Sequence, residues 1–117
     1  MKKVSVEFSL EAKKVLDFLA EKSFSSKQER MLFDAVRNKI DLIKSNYRYG
    51  SPVPKRLIPS FYREAYDAEN LFHVKLPQFW RMLYTAKAGS NEIEIIAFVL
   101  DILDHPAYDK RFGYRKK

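Results

Sequence analysis

Apolar and polar positions alternate at the start of the chain. Val4, Val6 and Phe8 fall on one side, Ser5 and Glu7 on the other, and this predicts a short half-buried strand. The period then lengthens. Ala12, Val15, Leu16 and Leu19 keep the i, i+3, i+4, i+7 spacing of an amphipathic helix that runs to about Lys22, with Ser9 placed to cap it. Ser26-Lys27-Gln28-Glu29 is an S-x-x-E capping box and starts a second helix. Its face is held by Phe33, Val36, Ile40, Ile43 and Tyr47, broadened by Leu32, and Gly50 followed by Pro52 is expected to end it. The two helices form an αα-hairpin whose apolar faces need another layer.

Residues 50–70 contain Pro52, Pro54 and Pro59 and read as an ordered but irregular connection. Alternation then returns. Phe72, Val74 and Leu76 share one side of a strand, with His73 and Lys75 on the other; Pro77-Gln78 predicts a tight connection into a second strand over residues 79–85. A turn at Ala88-Gly89-Ser90-Asn91 leads to a long apolar strand over residues 92–103. The simplest solution is α+β: an N-terminal strand, the αα-hairpin, then an antiparallel meander of about three strands, with the helices on one sheet face. Residues 1–117 read as one domain, with a basic tail over residues 105–117.

Composition changes this picture little. The chain is 46% hydrophobic and has no cysteine, so it can build a core without disulfides and offers no thiol chemistry. No apolar run approaches a membrane span or a signal peptide, and a cytoplasmic protein is expected. Charge adds more. The net charge is +7, and residues 42–63 hold Lys44, Arg48, Lys55, Arg56 and Arg63 but no acid. Residues 105–117 hold five bases and one Asp. Charge separated in this way favours a polyanionic partner.

If Trp80, Met82 and Tyr84 join Phe72, Val74 and Leu76 under the helices, Arg81 is left beside His73 and Lys75 on the opposite face. The last strand would bring His105 and Tyr108 to one end of that face. Such a set suits RNA cleavage through the 2′-hydroxyl, which needs a base, an acid and cations for the charge building on phosphorus. Histidine titrates in the right range, arginine binds phosphate in bidentate fashion, lysine acts as a point charge, and tyrosine stacks on a base or donates a proton. The route needs no metal or cofactor. A structural reading stands beside it: Arg81 could pair with Asp101 or Glu94, and Phe112 could pack the tail on the sheet. Phosphate-loop and acyl-transfer signatures are missing, since the only glycines are Gly50, Gly89 and Gly113 and no G-x-S-x-G occurs.

Asn70-Leu71-Phe72-His73-Val74-Lys75-Leu76-Pro77, Trp80-Arg81-Met82-Leu83-Tyr84-Thr85 and Leu103-Asp104-His105-Pro106-Ala107-Tyr108-Asp109-Lys110-Arg111-Phe112-Gly113-Tyr114 together resemble the RelE/ParE toxin superfamily, its RelE-like branch in particular. The resemblance covers nearly the whole chain. It implies a toxin of a toxin–antitoxin system, an endoribonuclease that cuts messenger RNA in the ribosomal A site and is neutralised by a cognate antitoxin protein.

On the same resemblance, Lys75 falls on a strand lysine, His73 replaces another lysine, Arg81 matches the arginine of the next strand, and His105 follows the last core strand. Tyr108 is taken as the C-terminal aromatic, with Tyr114 as the other choice. The implied catalytic set is His105, Arg81, Lys75, Tyr108 and His73. Lys55, Arg56, Lys110, Arg111, Tyr114, Arg115, Lys116 and Lys117 would hold RNA through phosphates or stacking. Two departures stand out: residues 50–70 are longer than in short RelE toxins, and Gln78-Phe79 replaces the usual glycine before the strand arginine. Relatives of the ParE kind bind DNA gyrase without cutting RNA. That reading, and a catalytically inactive RNA-binding domain, are the alternatives.

Overall fold

The computed structural model describes residues 3–113. Strand β1 (Lys3–Phe8) leads into helices α1 (Leu10–Lys22) and α2 (Lys27–Ser45). Both expected caps form: Ser9 Oγ accepts from the Ala12 N–H at 3.0 Å, and Ser26 Oγ from the Glu29 N–H at 3.4 Å. Ser9 also fastens the helix start to the sheet, its hydroxyl donating to the Leu100 carbonyl at 2.7 Å and its N–H to Val99 at 2.8 Å. The helical stripes are buried where the period placed them, with Ala12 and Leu19 from α1 and Leu32, Val36 and Ile43 from α2 in the core.

Helix α2 stops at Ser45, before Gly50. Gly50 has a different task. Its N–H donates to the Tyr84 hydroxyl at 2.9 Å, and that hydroxyl donates to the Tyr47 carbonyl at 2.7 Å. A Cβ on residue 50 would sit 3.0 Å from both the His73 carbonyl oxygen and the Tyr84 ring, so any larger residue would push the strand and the ring back by a few tenths of an ångström.

The proline-rich connection is more regular than its composition suggests. It contains β2 (Ser51–Pro52), a 3-10 turn (Lys55–Leu57) and helix α3 (Ser60–Tyr66). Strands β3 (Phe72–Lys75), β4 (Arg81–Ala88) and β5 (Glu94–Leu103) form the expected meander, and α4 (His105–Phe112) follows. The described part of the basic tail is thus a helix. Asp104 caps it by accepting from the Ala107 N–H at 3.0 Å, Pro106 fits its first turn, and Gly113 at φ 76° closes it.

The sheet is mixed, in the order β1-β5-β4-β3-β2, with β1 parallel to β5 and the other pairs antiparallel. Pro52 sits in the edge strand, where its missing N–H costs no ladder bond. Helices cover both faces, not one. Val74, Met82, Tyr84, Val99 and Ile102 pack with α1 and α2, whereas Leu83 and Leu100 pack with Tyr62 of α3 and with Tyr108 and Phe112 of α4. One irregularity shapes the second face. The β4–β5 register passes from Leu83↔Asp101 to Tyr84↔Val99, leaving Leu100 as the extra residue of a bulge. The bulge turns Leu100 and Asp101 to the same side. No helix among the described residues is long and apolar enough to cross a membrane.

Candidate nucleic-acid interface

Because Val74 and Leu76 enter the α1/α2 core, the alternation of β3 sends His73 and Lys75 to the other face. The β3–β4 register sets Lys75 opposite Arg81 and His73 opposite Leu83. The three basic side chains expected to meet do meet. From α4, the Tyr108 ring lies beneath the Arg81 guanidinium at 5.3 Å, while Arg81 Nη1 donates to the Trp80 carbonyl at 3.1 Å. Tyr108 also packs on Phe112 at 4.7 Å between ring centres. It therefore shapes Arg81 rather than standing clear as a base stacker. His105 opens α4, with Nε2 3.3 Å from an Asp109 carboxylate oxygen and its ring 5.8 Å from that of Phe79. The Phe79–His105 and Tyr108–Arg81 pairs thus gather at one end of the sheet, with Lys75 directly across from Arg81.

The electrostatics separate this end from the rest of the face. Burial, then the charges of Arg81 and Lys75, hold the His73 imidazole below its ordinary pKa of 6.5, so it is neutral at pH 7. Its Nδ1 is buried without a hydrogen-bond partner. The two acids considered as structural partners of Arg81 are engaged elsewhere. Asp101 accepts from the Tyr62 hydroxyl at 2.7 Å and lies 3.6 Å from Arg111 Nε. Glu94 accepts from the Ser90 N–H and hydroxyl at 3.0 and 2.9 Å. Burial raises the Asp101 carboxyl despite Tyr62 and Arg111, and burial with the adjacent carboxylate pushes the Tyr62 phenol well up.

Arg56, Lys110 and Arg111 line a cleft of about 730 Å³ between α3 and α4, with Phe61 and Phe112. Arg111 is already committed there, stacked 3.9 Å over the Phe61 ring and paired with Asp101. Lys55 lies in the adjoining 3-10 turn, its carbonyl accepting from Arg63 at 2.5 Å. Tyr114, Arg115, Lys116 and Lys117 lie outside the described residues.

Two features escape the sequence. The Tyr62–Asp101–Arg111 cluster depends on the bulge, which a single break in alternation does not announce. Phe79 was expected in a strand, but the strand starts at Arg81 and Pro77–Phe79 form the turn. Gln78 and Phe79 both take positive φ, 61° and 65°, without the glycine that would advertise it. Compared with family models, with characterised proteins and with solved structures, the chain gives no match in any of the three.

Proposed function

We propose that the protein is a RelE-like toxin, an endoribonuclease that cleaves messenger RNA on the ribosome, held in check by an antitoxin protein. The reading rests on the resemblance of residues 70–85 and 103–114 and on one observation: Arg81 stands with Lys75 and His73, while Asp101, on the neighbouring strand β5, is paired to Tyr62 and Arg111. Cations placed together beside a carboxylate that other groups already hold suit an anionic ligand. The strand-helix-helix-strand order also fits what the resemblance implies.

In this reading Arg81 and Lys75 flank the scissile phosphate. As the 2′-oxygen attacks phosphorus and the bond to the 5′-oxygen breaks, negative charge grows on the equatorial oxygens, and the two cations stabilise it. His105, half exposed at the start of α4, moves a proton at the 2′- or the 5′-oxygen. Tyr108 holds the guanidinium plane from below. His73, kept neutral beside two cations, is the group most sensitive to an arriving phosphate.

The test is primer extension on a translated message after inducing the wild type and the double variant His105→Ala, Arg81→Ala. Cuts at ribosome-occupied codons that vanish in the variant support the nuclease. Growth arrest with intact message overturns it and points to a gyrase-type target.

A further inference from the structure

Phe79 is 70% exposed although its ring is wholly apolar. It is also held in a costly shape. Gln78 and Phe79 are consecutive residues at φ 61° and 65°, a conformation that side chains with a Cβ resist. The turn is pinned at both ends: Leu76 and Trp80 bond across it at 2.9 Å, and Gln78 Nε2 donates to the Gln28 carbonyl of α2 at 3.2 Å. Strain of this kind persists where the surroundings over-determine it, and it collects at ligand sites. A glycine would satisfy the backbone more easily, so the conformation does not explain why an aromatic ring is present.

The neighbours of the ring suggest what it meets. Its ring centre lies 5.8 Å from that of the His105 imidazole, with 52° between the planes, and β4 begins two residues later at Arg81 opposite Lys75. A protein partner docking on Phe79 would have to bury cations around one small apolar spot. An unpaired nucleobase offers a flat face to the ring while its phosphate meets Lys75 and Arg81. We propose that Phe79, beside His105, is a stacking site for an unpaired base next to the phosphate held by Arg81. This deepens the nuclease reading and rests on it.

The experiment uses a short single-stranded RNA carrying 2-aminopurine and a 2′-O-methyl group at each position, so that it binds without being cut. Quenching and affinity are followed for the wild type, Phe79→Ala, Phe79→Gly and Phe79→Trp, with thermal midpoints alongside. Stacking predicts quenching by the wild type and Phe79→Trp, and a loss of affinity of roughly 5- to 100-fold in Phe79→Ala and Phe79→Gly. Phe79→Gly should melt at or above the wild-type temperature, which separates lost binding from lost folding. If the wild type binds and both small variants match it in affinity and quenching, the stacking site is wrong and the nuclease reading stands. If the wild type binds no RNA, alone or on ribosomes, both fall.

Discussion

Arg81 and Arg111 lie on the same side of one sheet and each rests on an aromatic ring, Tyr108 for one and Phe61 for the other. They differ in their partners. Arg111 pairs with Asp101, which Tyr62 also holds, and this cluster closes α3 and α4 over the second core. Arg81 faces Lys75, a like charge, with half-buried His73 beside it. The same residue type on the same scaffold is therefore a fastening at one place and, in the function proposed above, a receptor for charge at the other. What decides is the carboxylate that the β5 bulge aims at Arg111.

Exchanging the roles is the strongest way to break this comparison. Arg81→Ala should lower cleavage by about 10²- to 10³-fold, as for loss of one donor to a developing oxyanion, and should leave the thermal midpoint nearly unchanged. Arg111→Ala should do the opposite. It strands Asp101 in a buried place and should cost about 2 kcal/mol, a midpoint drop of several degrees, with cleavage per folded molecule retained. Calorimetry and single-turnover kinetics on the two variants check both halves. Equal loss of stability in the two would erase the distinction.

A smaller effect sharpens the electrostatic half. Folding holds His73 below its ordinary pKa, so the folded state binds its proton more weakly than the unfolded state does. The stability tied to its neutral form is fully present above pH 6.5 and is lost as pH falls below that and through the folded value. His73→Gln should flatten that part of the stability profile, measured by denaturant unfolding between pH 7.5 and about 5. An oligonucleotide phosphate between Lys75 and Arg81 should move the imidazole pKa back upward, visible in its NMR titration. A pKa that does not respond would place the phosphate elsewhere.

The smallest effect concerns long-range attraction. Lys75→Gln should weaken RNA binding and reduce the slope of log affinity against log salt by about 0.7, the value for one phosphate contact on a single strand. Binding titrations at three or four salt concentrations suffice. An unchanged slope would remove Lys75 from the phosphate site.

The residues that met as expected are those whose placement follows from period alone. The alternation in Phe72-His73-Val74-Lys75 and around Arg81 assigned each side chain to a face, and pairing across a short turn did the rest. Helix caps were legible for the same reason, being local bonds from Ser9 and Ser26. Helix α4 was missed although its signals stand in the sequence, with Asp104 before Pro106 at the start and Gly113 at the end. The charge of Lys110 and Arg111 reads as an RNA-holding tail and masks the helix; Phe112 packs against the sheet as its apolar ring allows, joined by Tyr108. Helix α3 was hidden by the prolines before it. The bulge and the left-handed turn were beyond reach, because each is set by tertiary contacts of residues with ordinary local preferences.

The position of β5 has a consequence for how the molecule comes into being. It lies between β1 and β4, and Ser9 closes onto Leu100 across 91 residues. A chain emerging from synthesis therefore carries β1, α1 and α2 with no sheet centre to receive them until β5 has been made. Closing so long a loop is slow, and the two helices expose their apolar stripes in the meantime. Until β5 arrives, the sheet of such a nascent chain stays incomplete.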